Sequence, residues 1–99
     1  MKEFYSEATR EFFKAILLLE TEDECFDFFE DICTVKELQD ISQRLEVAKM
    51  LKDGKSYQTV SKETGASTAT ISRVNRCLTY GSGGYKNLLA KLDKSEAQK

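Results

Sequence analysis

KSYQTVSKETGASTATISRVNRCLTY, residues 55–80, contains one glycine, Gly65, with a short polar-apolar segment on each side. Its spacing predicts two short helices. The first runs from about Ser56 to Glu63. Gly65 marks a sharp turn, because a left-handed backbone is open to glycine at no steric cost. Ser67 supplies an N-cap for the second helix, as a hydroxyl there accepts from a backbone N–H of the first turn. Val60 before the turn, and Ile71, Val74 and Leu78 after it, fall on inward faces. Together they predict a helix-turn-helix at about residues 56–80.

The opposite face of the second helix carries Thr68, Ala69, Ser72, Arg73 and Arg76, and no acidic residue occurs from Ser67 to Tyr80. Small side chains let a helix approach a major groove closely. Hydroxyls reach base edges or phosphate, methyls of alanine and threonine meet a thymine methyl, and arginines pair with guanine or the backbone. Lys52, Lys55 and Lys62 flank the motif as candidate phosphate contacts, which weaken with salt. A helical hairpin with a central glycine also occurs in proteins that never touch DNA, so a non-catalytic protein-interaction module stands as the alternative.

Working outward, three more helices precede this segment and one follows it. Residues from about 4 to 20 place Phe4, Ala8, Phe12, Ile16 and Leu19 at helical spacing, with Tyr5, Phe13 and Leu17 widening the stripe. Thr21-Glu22-Asp23-Glu24 matches a capping box and opens a second helix, apolar on more than one side through Cys25, Phe26, Phe28, Phe29 and Ile32. That much aromatic surface calls for a partner, so residues 1–33 are expected to form a dimerisation layer. Thr34-Val35-Lys36-Glu37 repeats the capping logic and starts a third helix through Leu38, Ile41, Leu45, Ala48 and Leu51, ending near Gly54. Tyr85, Leu88, Leu89 and Leu92 make a short closing helix. The core is expected to span residues 34–93, and the polar residues 94–99 to fray.

Composition agrees with an all-α domain of about six helices. There is no proline, and the glycines are confined to Gly54, Gly65, Gly81, Gly83 and Gly84. Histidine is absent too, which removes the usual general base and the commonest metal ligand; no phosphate loop or nucleophile elbow is present, and an enzyme is not expected. Cys25, Cys33 and Cys77 lack metal-like spacing and are expected to be buried as small apolar residues. No run approaches the ~18 apolar residues of a membrane span, and MKEFYSEATRE has no apolar signal core, so a cytoplasmic protein is expected. The net charge of −2 hides an asymmetry: residues 1–41 carry four Lys/Arg against twelve Asp/Glu, and residues 42–99 carry eleven against five. An acidic half that packs and dimerises, joined to a basic half that meets phosphate, is one interpretation. Solvated faces of opposite sign are the other.

QRLEVAKMLKDGKSY followed by TGASTATISRVNRCLTYGSGGY resembles, in order and spacing, the tryptophan-repressor superfamily, and more closely its YerC/YecD branch of small bacterial TrpR-like proteins. The resemblance covers roughly residues 30–92. It implies six helices per subunit, amino-terminal helices interlaced in a homodimer, and recognition helices about one DNA turn apart, roughly 34–36 Å, on a near-palindromic operator. It places Thr68, Ala69 and Ser72 at base edges, and Gln58 and Ser61 on the DNA-facing side of the preceding helix. It also places Arg44 and Arg73 where two arginines sandwich the corepressor indole, with Thr34 at a further pocket position. Val74 stands where the repressor has a glycine beside the ligand, and Cys77 where a serine binds its amino group. A branched side chain and a thiol suit that ligand poorly, so tryptophan is not the expected effector. Arg44 and Arg73 are read in preference as salt-bridge or phosphate-contact residues with no small ligand, and no cofactor is expected. Double-stranded DNA is the expected partner of a transcriptional regulator, a repressor acting by promoter occupation.

Overall fold

In a computed structural model, residue 3 and residues 5–97 are described, and they form six α-helices: α1 (Glu7–Ile16), α2 (Glu22–Ile32), α3 (Val35–Lys52), α4 (Tyr57–Thr64), α5 (Thr68–Tyr80) and α6 (Gly84–Ala97). The chain divides into two compact units, one ending at Leu38 and the other beginning at Gln39, inside α3. Helix α3 belongs to both units because its first turn is tied to Thr34 while its second half carries Val47 and Ala48.

Local hydrogen bonds start most of these helices. Ser6, Thr21, Ser56 and Ser67 are N-caps whose hydroxyls accept from Thr9, Glu24, Thr59 and Thr70 respectively. At α3 the capping box is reciprocal: Glu37 N–H donates to Thr34 Oγ1 at 3.0 Å, and Thr34 N–H donates to Glu37 Oε1 at 2.8 Å. Hydrogen bonds to the Glu37 carboxylate from Thr34, from its backbone N–H first and from its side chain second, hold that carboxyl below its ordinary value.

Helix α1 is shorter than its apolar stripe. It starts after the Ser6 cap, and the leucine run ends it: Leu18 and Leu19 N–H groups donate to the carbonyls three residues back, of Ala15 and Ile16. That tightening precedes the extended backbone of Thr21, whose φ and ψ are −126° and 160°. Phe4 lies outside the described residues. The closing helix is longer than the stripe that announced it, since α6 continues to Ala97; residues 98–99 lie outside the description.

In the first unit, neither α1 nor α2 has a buried residue. Phe12 and Phe28 approach at 6.1 Å between ring centroids, and Phe28 meets Phe29 edge-on at 5.5 Å. Leu17, Leu18, Phe26 and Ile32 remain exposed, Leu17 by 83%. The second unit has the core: Val47 and Ala48 of α3, Val60 of α4, Ala66 of the turn, Ile71 and Val74 of α5, and Leu89 of α6. Leu45, Met50, Leu51, Leu78, Tyr85 and Leu92 pack around it.

The cysteines depart from the sequence expectation. Cys25 and Cys77 are exposed and Cys33 is half-buried, all as free thiols. On α5 the core is taken by Ile71 and Val74, and at about 100° per residue Cys77 lies about 120° from Ile71 and about 60° from Val74, at the edge of the inward arc, where it stays exposed. Among the described residues no helix is long and apolar enough to cross a membrane, and no cluster of Cys, Asp or Glu could hold a metal ion.

Candidate nucleic-acid interface

Helices α4 and α5 form the helix-turn-helix. Gly65 follows α4 with φ +76° and ψ 3°, the left-handed conformation that turns the chain, and its N–H donates to Ser61 O at 2.8 Å. Side chains then close the turn. Ser61 Oγ donates to Ala66 O at 2.9 Å, Thr64 Oγ1 donates to Val60 O at 2.7 Å, and Ala66 N–H donates to Thr64 Oγ1 at 3.1 Å. Ala66, 2% exposed, sits under the turn.

At about 100° per residue, Ile71, Val74 and Leu78 occupy one arc of α5, Ala69, Ser72, Arg73 and Arg76 occupy the opposite one, and Thr68 lies at the margin between them in the first turn. The packing agrees: Ile71 and Val74 are buried, and Thr68 and the four outward residues are exposed. Among the described residues neither Arg73 nor Arg76 makes an ion pair or side-chain hydrogen bond. Their charges are available to an anionic partner. Ser67 is exposed as well, but its hydroxyl caps the helix and meets Thr70 Oγ1 at 3.1 Å.

An open depression at the mouth of the motif is lined by Tyr57, Gln58, Ser61, Lys62 and Thr68. It brings together three of the sequence-derived candidates, Gln58, Ser61 and Thr68, with Lys62 beside them. Ser61 has its single hydroxyl proton committed to Ala66, so its role in the turn is structural whatever else it touches. Tyr57 was not singled out from the sequence; its position four residues before Ser61, on the same helix face, was the available signal. Lys55 and Lys62 are exposed, whereas Lys52 is paired with Asp93 at 3.0 Å.

The candidate effector residues differ in their surroundings. Arg44 on α3 and Arg73 on α5 are both exposed and bonded neither to each other nor to another described residue. Val74 is 2% exposed and part of the core, while Cys77 is on the surface. Thr34 belongs to the first unit, where it caps α3.

Comparison with known proteins identifies the family. Residues 7–93 match the model of the Trp repressor protein family. The chain is 50% identical over 86 residues to YerC of Bacillus subtilis (strain 168), covering 87% of this chain and 83% of that one. A Trp-repressor-like protein from Staphylococcus aureus superposes with a TM-score of 0.89 at 50% identity, covering 93% of this chain and 92% of the other. A TrpR-like protein from Eubacterium eligens ATCC 27750 gives 0.89 at 48% identity, covering 94% and 96%. With the six-helix fold and the α4–α5 motif in place, the chain belongs to the Trp repressor family.

Proposed function

We propose that this protein is a sequence-specific transcriptional regulator, a repressor, that occupies promoter DNA as a homodimer in the cytoplasm. One observation carries the reading. Helix α5 presents an exposed face of hydroxyls, one methyl and two unpaired arginines, while its other face is locked in the core through Ile71 and Val74. A helix held so firmly and dressed so sparsely suits insertion into a major groove, with Thr68, Ala69 and Ser72 at base edges. Arg73, Arg76, Gln58 and Lys62 would take phosphate or base contacts around it. Membership of the family supports the same conclusion.

Dimerisation is supported by the first unit, whose exposed Leu17, Leu18, Phe26 and Ile32 are costly to leave in water. Tryptophan, the ligand suggested by the family's name, suits these residues poorly as an effector: Val74 is a branched, buried core residue, and Arg44 and Arg73 stand free and exposed. No cofactor or catalytic step enters the proposed function.

Selection of bound duplexes from a random library, at near-physiological salt and with no added ligand, tests the proposal. Enrichment of a near-palindromic motif that is lost with Arg73→Ala supports it. No enrichment, together with salt-insensitive capture of a protein partner, would favour the interaction-module reading, for which the exposed apolar surface of the first unit is the observation.

A further inference from the structure

The bonds of the α4–α5 turn described above lie within the hairpin and move with it as a body. One further bond leaves the hairpin. Gln43, half-buried on α3, donates from Nε2 to the carbonyl of Thr64 at 3.1 Å, across 21 positions of sequence. Thr64 ends α4, so its carbonyl is among those a helix terminus leaves without an internal partner. Gln43 also lies one turn before Val47, on the same face of α3. The buried contact of Val47 and Ala48 with Val60, Ala66, Ile71 and Val74 holds the hairpin to α3. Apolar contact is non-directional and fixes separation better than rotation. A directed hydrogen bond at one end of that contact fixes the angle.

We infer that Gln43 is a positioning residue: through its bond to Thr64 it sets the orientation of the helix-turn-helix against α3, and thereby the precision with which α5 discriminates sequences. The inference about orientation stands on geometry alone, and the part about discrimination rests on the proposed function. Gln43→Met keeps the length of the side chain and removes the donor; Gln43→Lys restores a donor. Both are checked for cooperative melting, and amide hydrogen exchange is followed peptide by peptide in the full-length protein. In Gln43→Met, protection over residues 61–66 should fall about three- to tenfold, the scale of one net hydrogen bond, with recovery in Gln43→Lys. Exchange in Gln43→Met equal to wild type, or an equal loss in both variants, overturns the strut.

A second arm measures the ratio of affinities for the enriched duplex and a random duplex. Gln43→Met should lower that ratio by a comparable factor while leaving random-duplex binding in place. An unchanged ratio overturns the positioning role in recognition. A wild-type protein that enriches no duplex refutes the proposed function instead, and the exchange arm still decides the strut.

Discussion

Replacing Gly65 by alanine isolates the conformational requirement of the turn. At φ +76° an added Cβ would meet nothing within 4 Å, so the substitution introduces backbone strain without a clash. Holding an L-residue in the left-handed region costs about 1–2 kcal/mol. Alanine also restricts the unfolded chain, which returns about 0.4–1 kcal/mol. The net destabilisation of Gly65→Ala is therefore about 0–1.6 kcal/mol, centred near 0.8. With a urea dependence of about 1–3 kcal/mol per molar for a small protein, the unfolding midpoint drops by about 0.5 M with an unchanged slope. Gly65→Asn should lose less, because asparagine enters the left-handed region more readily. Gly84→Ala is the control: it opens α6 without a positive φ and also has open space around a Cβ, so it should be neutral or stabilising. All variants are unfolded at one protein concentration, since a dimer's stability depends on it. Equal midpoints for Gly65→Ala and wild type, or equal shifts in Gly65→Ala and Gly84→Ala, would refute the argument that the left-handed turn sets the requirement.

Other outcomes follow from the same structure. Ile71→Ala or Leu89→Ala removes a side chain that is 0% or 2% exposed and should cost about 2–5 kcal/mol in chemical denaturation, whereas Ser72→Ala should change stability little. In binding assays Arg73→Ala should weaken all duplexes alike and lower the salt slope by about one, while Ser72→Ala should alter preference at one base pair by about 1–3 kcal/mol. Identical effects of the two on specific and random DNA would contradict that division. Because its bonds to Thr34 lower the Glu37 carboxyl below its ordinary value, its contribution to stability is present above the unfolded-state value and is lost as pH falls through the folded one. Glu37→Gln should accordingly be less stable than wild type at neutral pH, with the difference closing in acid; a gap that widens in acid would reverse the sign of the argument. Sedimentation should give a dimer mass for wild type and a monomer for Phe26→Asp, which places a charge on an aromatic that is 55% exposed in the single chain; a wild-type monomer would remove the reading of the first unit as a dimerisation layer.

Much of the second unit could be read from its sequence because local chemistry and burial agree there. Gly65, the Ser67 cap and the spacing of Val60, Ile71 and Val74 each specify the same turn between the same helices, and the outward residues of α5 follow by elimination. The capping box at Thr34 was equally legible, since a hydroxyl and a carboxylate three residues apart satisfy backbone groups without help from distant chain; at Thr21 the hydroxyl half forms, while the Glu24 carboxylate accepts from Glu20 N–H at 3.4 Å. Periodicity alone misplaced the end of α1, because Leu17, Leu18 and Leu19 continue an apolar run after the helical hydrogen bonding has tightened and stopped. It also understated α6, whose last turn is polar and carries no apolar stripe to announce it.

Tertiary structure decided what depends on groups far apart in sequence. Exposure of Cys77 follows from Ile71 and Val74 claiming the core on α5, and Cys25 is exposed on a helix that buries no residue; a thiol's small apolar character settles neither. Ser61, chosen as a groove contact, turned out to have its proton bound to Ala66, and Lys52, chosen as a phosphate contact, is paired with Asp93, a residue 41 positions away. The link from Gln43 to Thr64 had no signature at all in the chain, because a half-buried glutamine on a helix is indistinguishable in sequence from a solvated one. The sequence by itself determined the helices, the turn and the chemistry of the α5 face, since these rest on bonds and periods spanning a few residues. Folding decided which polar groups are already spent on one another and which remain available to a partner, because that depends on where distant segments meet.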